Sequence, residues 1–109
     1  MNAVTASEGR FWDLAEPLLA RDDVERSTMM GLPCLRVRGA FFASWDRRTG
    51  DLLVKLPEAR VEELVAAGRA HIFAPAGRRF REWAAVPAER SRTWERVLDE
   101  ALDFVNGAG

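Results

Sequence analysis

The strongest constraint on the fold lies between residues 34 and 56, where β-favouring stretches are separated by intervals short enough only for reversals. In Cys34-Leu35-Arg36-Val37-Arg38 the apolar Leu35 and Val37 alternate with Cys34, Arg36 and Arg38, the period of a half-buried strand. Gly39 permits a tight turn, and Phe41-Phe42-Ala43-Ser44-Trp45 follows as a second strand of high β preference. After the polar loop Asp46-Arg47-Arg48-Thr49-Gly50, Leu52, Val54 and Leu56 alternate with Leu53 and Lys55 in a third strand. Strands joined in this way form an antiparallel meander, with Leu35 and Val37 turned inward and Cys34, Arg36 and Arg38 outward.

The flanks read as helices and shorter strands. Thr5-Ala6-Ser7-Glu8 has the spacing of a capping box. Phe11, Leu14, Ala15, Leu18 and Leu19 recur at helical intervals, predicting a first helix over residues 6–20 that Pro17 kinks or stops. Residues 21–31 show no clean period and read as a loop. Pro57 suits the first position of a second helix, Glu58 favours its dipole, Val61, Leu64 and Val65 form its stripe, and Gly68 stops it. His71–Ala74 reads as a fourth strand, Pro75-Ala76-Gly77 as a turn, and Arg81–Val86 as a fifth strand ending at Pro87. Trp94, Val97, Leu98, Ala101, Leu102 and Val105 mark one face of a last helix, ended by Asn106-Gly107.

The predicted order is α-β(3)-α-β(2)-α: one α+β domain over residues 1–109, a five-stranded antiparallel sheet with its helices segregated in a second layer. A chain of 109 residues with 48% hydrophobic content supports one core without staples. The single cysteine, Cys34, cannot pair internally, which fits a reducing compartment. No apolar run approaches a membrane span, and Glu8 and Asp13 stand where a signal peptide needs apolar residues. A cytoplasmic location and no membrane partner are therefore expected.

Met30-Gly31-Leu32-Pro33-Cys34-Leu35-Arg36-Val37-Arg38-Gly39-Ala40-Phe41-Phe42-Ala43 resembles the G-x-P-x-hydrophobic-basic-V-x-G-x-x-F-A signature of the MmcQ/YjbR-like family and the related TfoX N-terminal domains. Leu53-Val54-Lys55-Leu56-Pro57 is similar to that family's third strand and its entry to a helix. Phe73-Ala74-Pro75-Ala76-Gly77 and Glu82-Trp83-Ala84-Ala85-Val86 resemble its loop and tryptophan-bearing last strand. The similarity covers roughly residues 8–106. It departs at Ala40, where relatives often carry a lysine. The resemblance implies a secretion-chaperone-like fold and, weakly, a DNA-binding role, because its members are mostly described as uncharacterised or DNA-binding.

Charge is unevenly distributed, although the total is −1. Residues 31–57 and 77–96 each carry +3, whereas residues 1–30 and 97–109 each carry −3. Fifteen of the sixteen basic residues are arginine, a bias that a GC-rich genome explains on its own. Placement matters more than number. If helices cover one side of the sheet, Arg36, Arg38 and Lys55 share the open face, with Arg78, Arg79 and Arg81 near its edge or on a wing-like loop. Phe80 and Trp83 lie between these cations, as in surfaces that hold phosphates and stack bases. The site predicted for nucleic acid, DNA in the first instance, is Arg36, Arg38, Lys55, Arg78, Arg79, Arg81 and Trp83. Two other readings stand beside it: a charged sheet face serving only solubility, and a homodimer or protein-interaction face centred on Cys34, Leu53 and Trp45.

Catalytic chemistry finds no foothold. His71 is the only histidine and has no HxH, HExxH or Cys–His companion in sequence. The carboxylate pairs Asp22/Asp23, Glu62/Glu63 and Asp99/Glu100 read as solvated faces, and no phosphate-cradling glycine motif occurs. The expectation is a non-catalytic module with no cofactor and no metal.

Overall fold

Residues 3–108 are described in the computed structural model, and two hairpin turns of one kind set the geometry of its sheet. Met30-Gly31 joins β1 (Val24–Met29) to β2 (Leu32–Val37), and Arg38-Gly39 joins β2 to β3 (Ala40–Trp45). In both turns the two central residues have positive φ: 54° and 78° in the first, 52° and 84° in the second. That is the backbone of a primed two-residue turn, whose twist matches the strands it connects. Glycine at the second position makes it accessible.

The helix α1 (Ala3–Leu19) precedes this meander. β4 (Leu52–Lys55), α2 (Glu58–Ala66), β5 (His71–Phe73), β6 (Phe80–Val86) and α3 (Trp94–Ala108) follow it, with short 3-10 turns at Pro75–Gly77 and Ala88–Thr93. All strand pairs are antiparallel, and the sheet order is β1-β2-β3-β4-β6-β5.

The α+β class and antiparallel sheet agree with the expectation, but the sheet has six strands, not five. The added strand is β1, within the segment read as a loop. Val24 is its only fully buried residue, while Glu25, Arg26 and Thr28 are exposed, because an edge strand has one neighbour and meets water on its other side. Its contact with the helix layer is made partly by a charged residue: the Arg26 guanidinium lies 4.1 Å from the centre of the Trp12 ring.

Other boundaries also shift. α1 begins at Ala3, so Thr5, read as a cap, lies inside the helix, which continues past Pro17 to Leu19. Pro57 occupies the N-cap of α2, and its carbonyl accepts the Arg60 and Val61 N–H groups. α3 runs through Asn106-Gly107 to Ala108. Gly68 does end α2: at φ 72° it lets its own N–H reach the Val65 carbonyl and the Arg69 N–H reach Leu64.

All three helices pack on one side of the sheet. Leu35, Ala43, Val54 and Ala84 form a row across β2, β3, β4 and β6 in direct register. They join one core cluster with Phe11 and Ala15 of α1, Val61 and Leu64 of α2, and Trp94, Leu98 and Ala101 of α3. A bulge where Leu35/Arg36 face β3 breaks strict alternation. Phe42 and Ala43, adjacent in sequence, both enter the core, while Phe41 pairs with Arg36. The buried Ser7 hydroxyl donates to the Gly50 carbonyl (2.9 Å) and accepts the Trp45 indole N–H (3.0 Å), tying α1 to the β3–β4 connection. Among the described residues, no helix is long and apolar enough to cross a membrane.

Phe42→Ala is expected to cost about 3–5 kcal/mol of unfolding free energy, because a fully buried ring leaves a cavity. Met30→Asn is expected to stabilise by up to about 1 kcal/mol, since Met30 is exposed and held at positive φ, which asparagine tolerates better. Urea midpoints of the two variants check both, and a destabilised Met30→Asn would contradict the turn assignment.

Candidate nucleic-acid interface

The sheet face away from the helices carries two rows of side chains. The first runs Ser27, Cys34, Ser44, Leu53, Ala85 and His71, one residue from each strand in direct register. Its centre is closed to solvent although the helices lie on the other side: Cys34 and Ser44 are 0% exposed and Leu53 is 1% exposed. The Ser44 hydroxyl donates to the Pro33 carbonyl at 2.8 Å.

The next row holds the chemistry. Arg36 on β2 pairs with Phe41 on β3, and Lys55 on β4 pairs with Trp83 on β6. The Arg36 guanidinium carbon lies 4.3 Å from the centre of the Phe41 ring, and its Nε is buried without a hydrogen-bond partner among the described residues. A guanidinium plane lying on a ring keeps its charge near the surface while its edge loses water. Arg36, Lys55 and Trp83 thus share one face, as the alternation predicts.

Beside this row, Lys55, Arg78, Arg79, Phe80, Arg81, Glu82 and Trp83 line an open depression of about 390 Å³. Five of the seven residues predicted from sequence meet there: Lys55, Arg78, Arg79, Arg81 and Trp83. The β5–β6 connection brings them in, through Ala76 and Gly77 at φ 55° and 81° just ahead of Arg78. Phe80 packs against Phe73 with ring centres 5.8 Å apart, and Arg78 lies 5.4 Å from the Phe80 ring centre. Four cations and one carboxylate, Glu82, surround the depression. Arg81 also faces Glu58 at the start of α2, at 3.7 Å, an exposed pair that sequence gave no means of anticipating.

Arg38 stands apart from this group. It sits in the β2–β3 turn, where its N–H donates to the Asp23 carbonyl and its charge helps hold the Asp23 carboxyl low, behind the larger effect of the Arg21 hydrogen bond. Phe41 is the site residue that sequence reading missed. The bulge that separates it from Phe42 leaves no signal in a run apolar at both parities. Of the residues named as the centre of a dimer face, Trp45 is buried in the helix-side core, and Cys34 and Leu53 are closed to solvent.

Other titratable groups are arranged differently. His71 is exposed on β5. Asp46 is 4% exposed, and its carboxylate accepts the Arg48 backbone N–H at 2.9 Å. Burial pushes the Asp51 carboxyl above its ordinary range, against the Thr49 hydrogen bond and the nearby His71. Burial likewise pushes the Cys34 thiol up, against Ser27 and Arg36. Among the described residues, no three His, Cys, Asp or Glu side chains are placed to hold a metal ion. No family model, curated protein or solved structure matches the chain.

Two outcomes follow from these environments. Cys34 is expected to resist an aromatic disulfide reagent in the native protein and to react fully in denaturant; fast native reaction would contradict its burial. For Asp51, a native pKa above the unfolded one means that folding binds a proton, so the carboxylate costs stability at neutral pH and nothing below the unfolded pKa. Asp51→Asn should therefore stabilise at neutral pH, with the gain vanishing in acid. Urea titrations at the two pH values check this, and an equal gain at both would refute it.

Proposed function

We propose that this chain is a non-catalytic binding module that holds the phosphodiester backbone of nucleic acid in the depression between β4, β6 and the β5–β6 connection. One observation carries the reading: Lys55, Arg78, Arg79 and Arg81, from two distant parts of the chain, meet around Trp83 in a single concave surface. Arginine forks suit phosphate oxygens, and a flat aromatic among them supports sugar or base. Arg36 extends the cationic line across the same sheet face. The carboxylates of α1 and α3 lie on the helix layer, on the far side of the sheet.

The resemblance to MmcQ/YjbR-like domains carries the same expectation. Under it the fold is secretion-chaperone-like with an additional N-terminal edge strand, and the module works in the cytoplasm.

Fluorescence anisotropy on labelled DNA tests the reading. Five phosphate contacts give a log–log salt slope of about −4.5 on a duplex between roughly 50 and 200 mM salt. Replacing Lys55 and Arg79 together by alanine should flatten that slope by about 2. Absence of saturable binding at low salt would remove the proposal.

A further inference from the structure

The geometry points to single-stranded nucleic acid, rather than duplex, as the ligand of this face, with bases laid on its aromatic and guanidinium planes. The inference rests on the phosphodiester reading above and adds which form of the polymer is bound.

Its first support is the pairing of rings with cations. Phe41 lies under Arg36, Phe80 beside Arg78, and Trp83 opposite Lys55 in the ladder. All three rings are half-buried. A duplex keeps its bases stacked inside and offers phosphates to such a surface, leaving the rings idle. A single strand offers base faces that stack on aromatic rings and on guanidinium planes. The Arg36 plane, lying on Phe41, serves as one such platform.

The second support is shape. Reading a duplex needs a helix or ribbon that enters a groove about 12 Å wide. Here every helix is packed on the opposite face, and no helix stands out from the face that carries Arg36, Lys55 and Trp83. From β2 to β6 the platforms span three strand spacings, roughly 15 Å. That length suits two or three splayed bases.

The third is electrostatic. The positive band is narrow, flanked by Glu25 on β1, Glu58 on α2 and Glu82 within the depression, on a molecule of net charge −1. A single backbone can follow such a band, whereas the second strand of a duplex is carried toward these carboxylates.

The test compares one sequence as single-stranded DNA, single-stranded RNA and duplex DNA, by anisotropy at the same low salt. Tenfold or tighter binding of either single strand over the duplex upholds the inference, and the better of the two names the sugar. Trp83→Ala should weaken single-strand binding about 5- to 150-fold, the range for losing one stacked base, and weaken duplex binding distinctly less. Trp83→Phe, which keeps a ring against the sheet, should retain most of the affinity and guards against a folding defect. Duplex binding as tight as single-strand binding, or an equal loss on both forms in Trp83→Ala, would overturn the inference while the phosphodiester reading stands. Binding of neither form would remove that reading as well.

Discussion

Covering a six-stranded antiparallel sheet on one side only is the constraint from which the other features of this molecule follow. Three helices place Phe11, Val61, Leu64, Trp94 and Leu98 against the cross-strand rows Leu35-Ala43-Val54-Ala84 and Trp45-Leu52-Val86, which is where the apolar surface is removed from water. The other side of each strand must then make its own peace with solvent. It does so with small residues along one row and long cationic or aromatic residues along the next. The centre of the first row is closed to solvent. Arg36 on Phe41 shows the cost of that arrangement, a buried Nε without a partner among the described residues, offset by the ring beneath it.

The same constraint separates charge. Glu95, Asp99 and Asp103 follow one another at four-residue steps on α3, and burial together with its two acidic neighbours raises the Asp99 carboxyl. Like charges at that spacing weaken a helix slightly. Lys55, Arg78, Arg79 and Arg81 gather across the sheet from them, while Arg60, Arg92 and Arg96 share the helix layer with these acids. Field at such a surface depends on local arrangement far more than on the total.

How much of this is legible in residues alone depends on burial. Leu35 and Val37, or Trp94, Val97, Leu98 and Ala101, announce themselves because one side of the element is wholly inside and period alone reveals it. β1 does not, since a strand at the rim buries only Val24 and contacts the helix layer through Arg26. The convergence of Lys55 with Arg78, Arg79 and Arg81 was visible as two positive segments, yet their meeting depends on β6 pairing with β4. Phe41 was hidden by a bulge that changes parity within an apolar run. The Arg81–Glu58 pair depends on how α2 leaves the sheet, which no local pattern encodes.

The strand order also has a consequence for how the chain assembles. β1 to β4 are joined by successive short hairpins, so their pairing closes only small loops. β6 is different: it slots between β4 and β5, and the Lys55–Trp83 pairing closes a loop containing all of α2. Among the strand pairings, loop entropy therefore favours the meander over this insertion. The cationic depression straddles that seam, so it exists only while β6 is docked on β4 and is lost when β6 lets go.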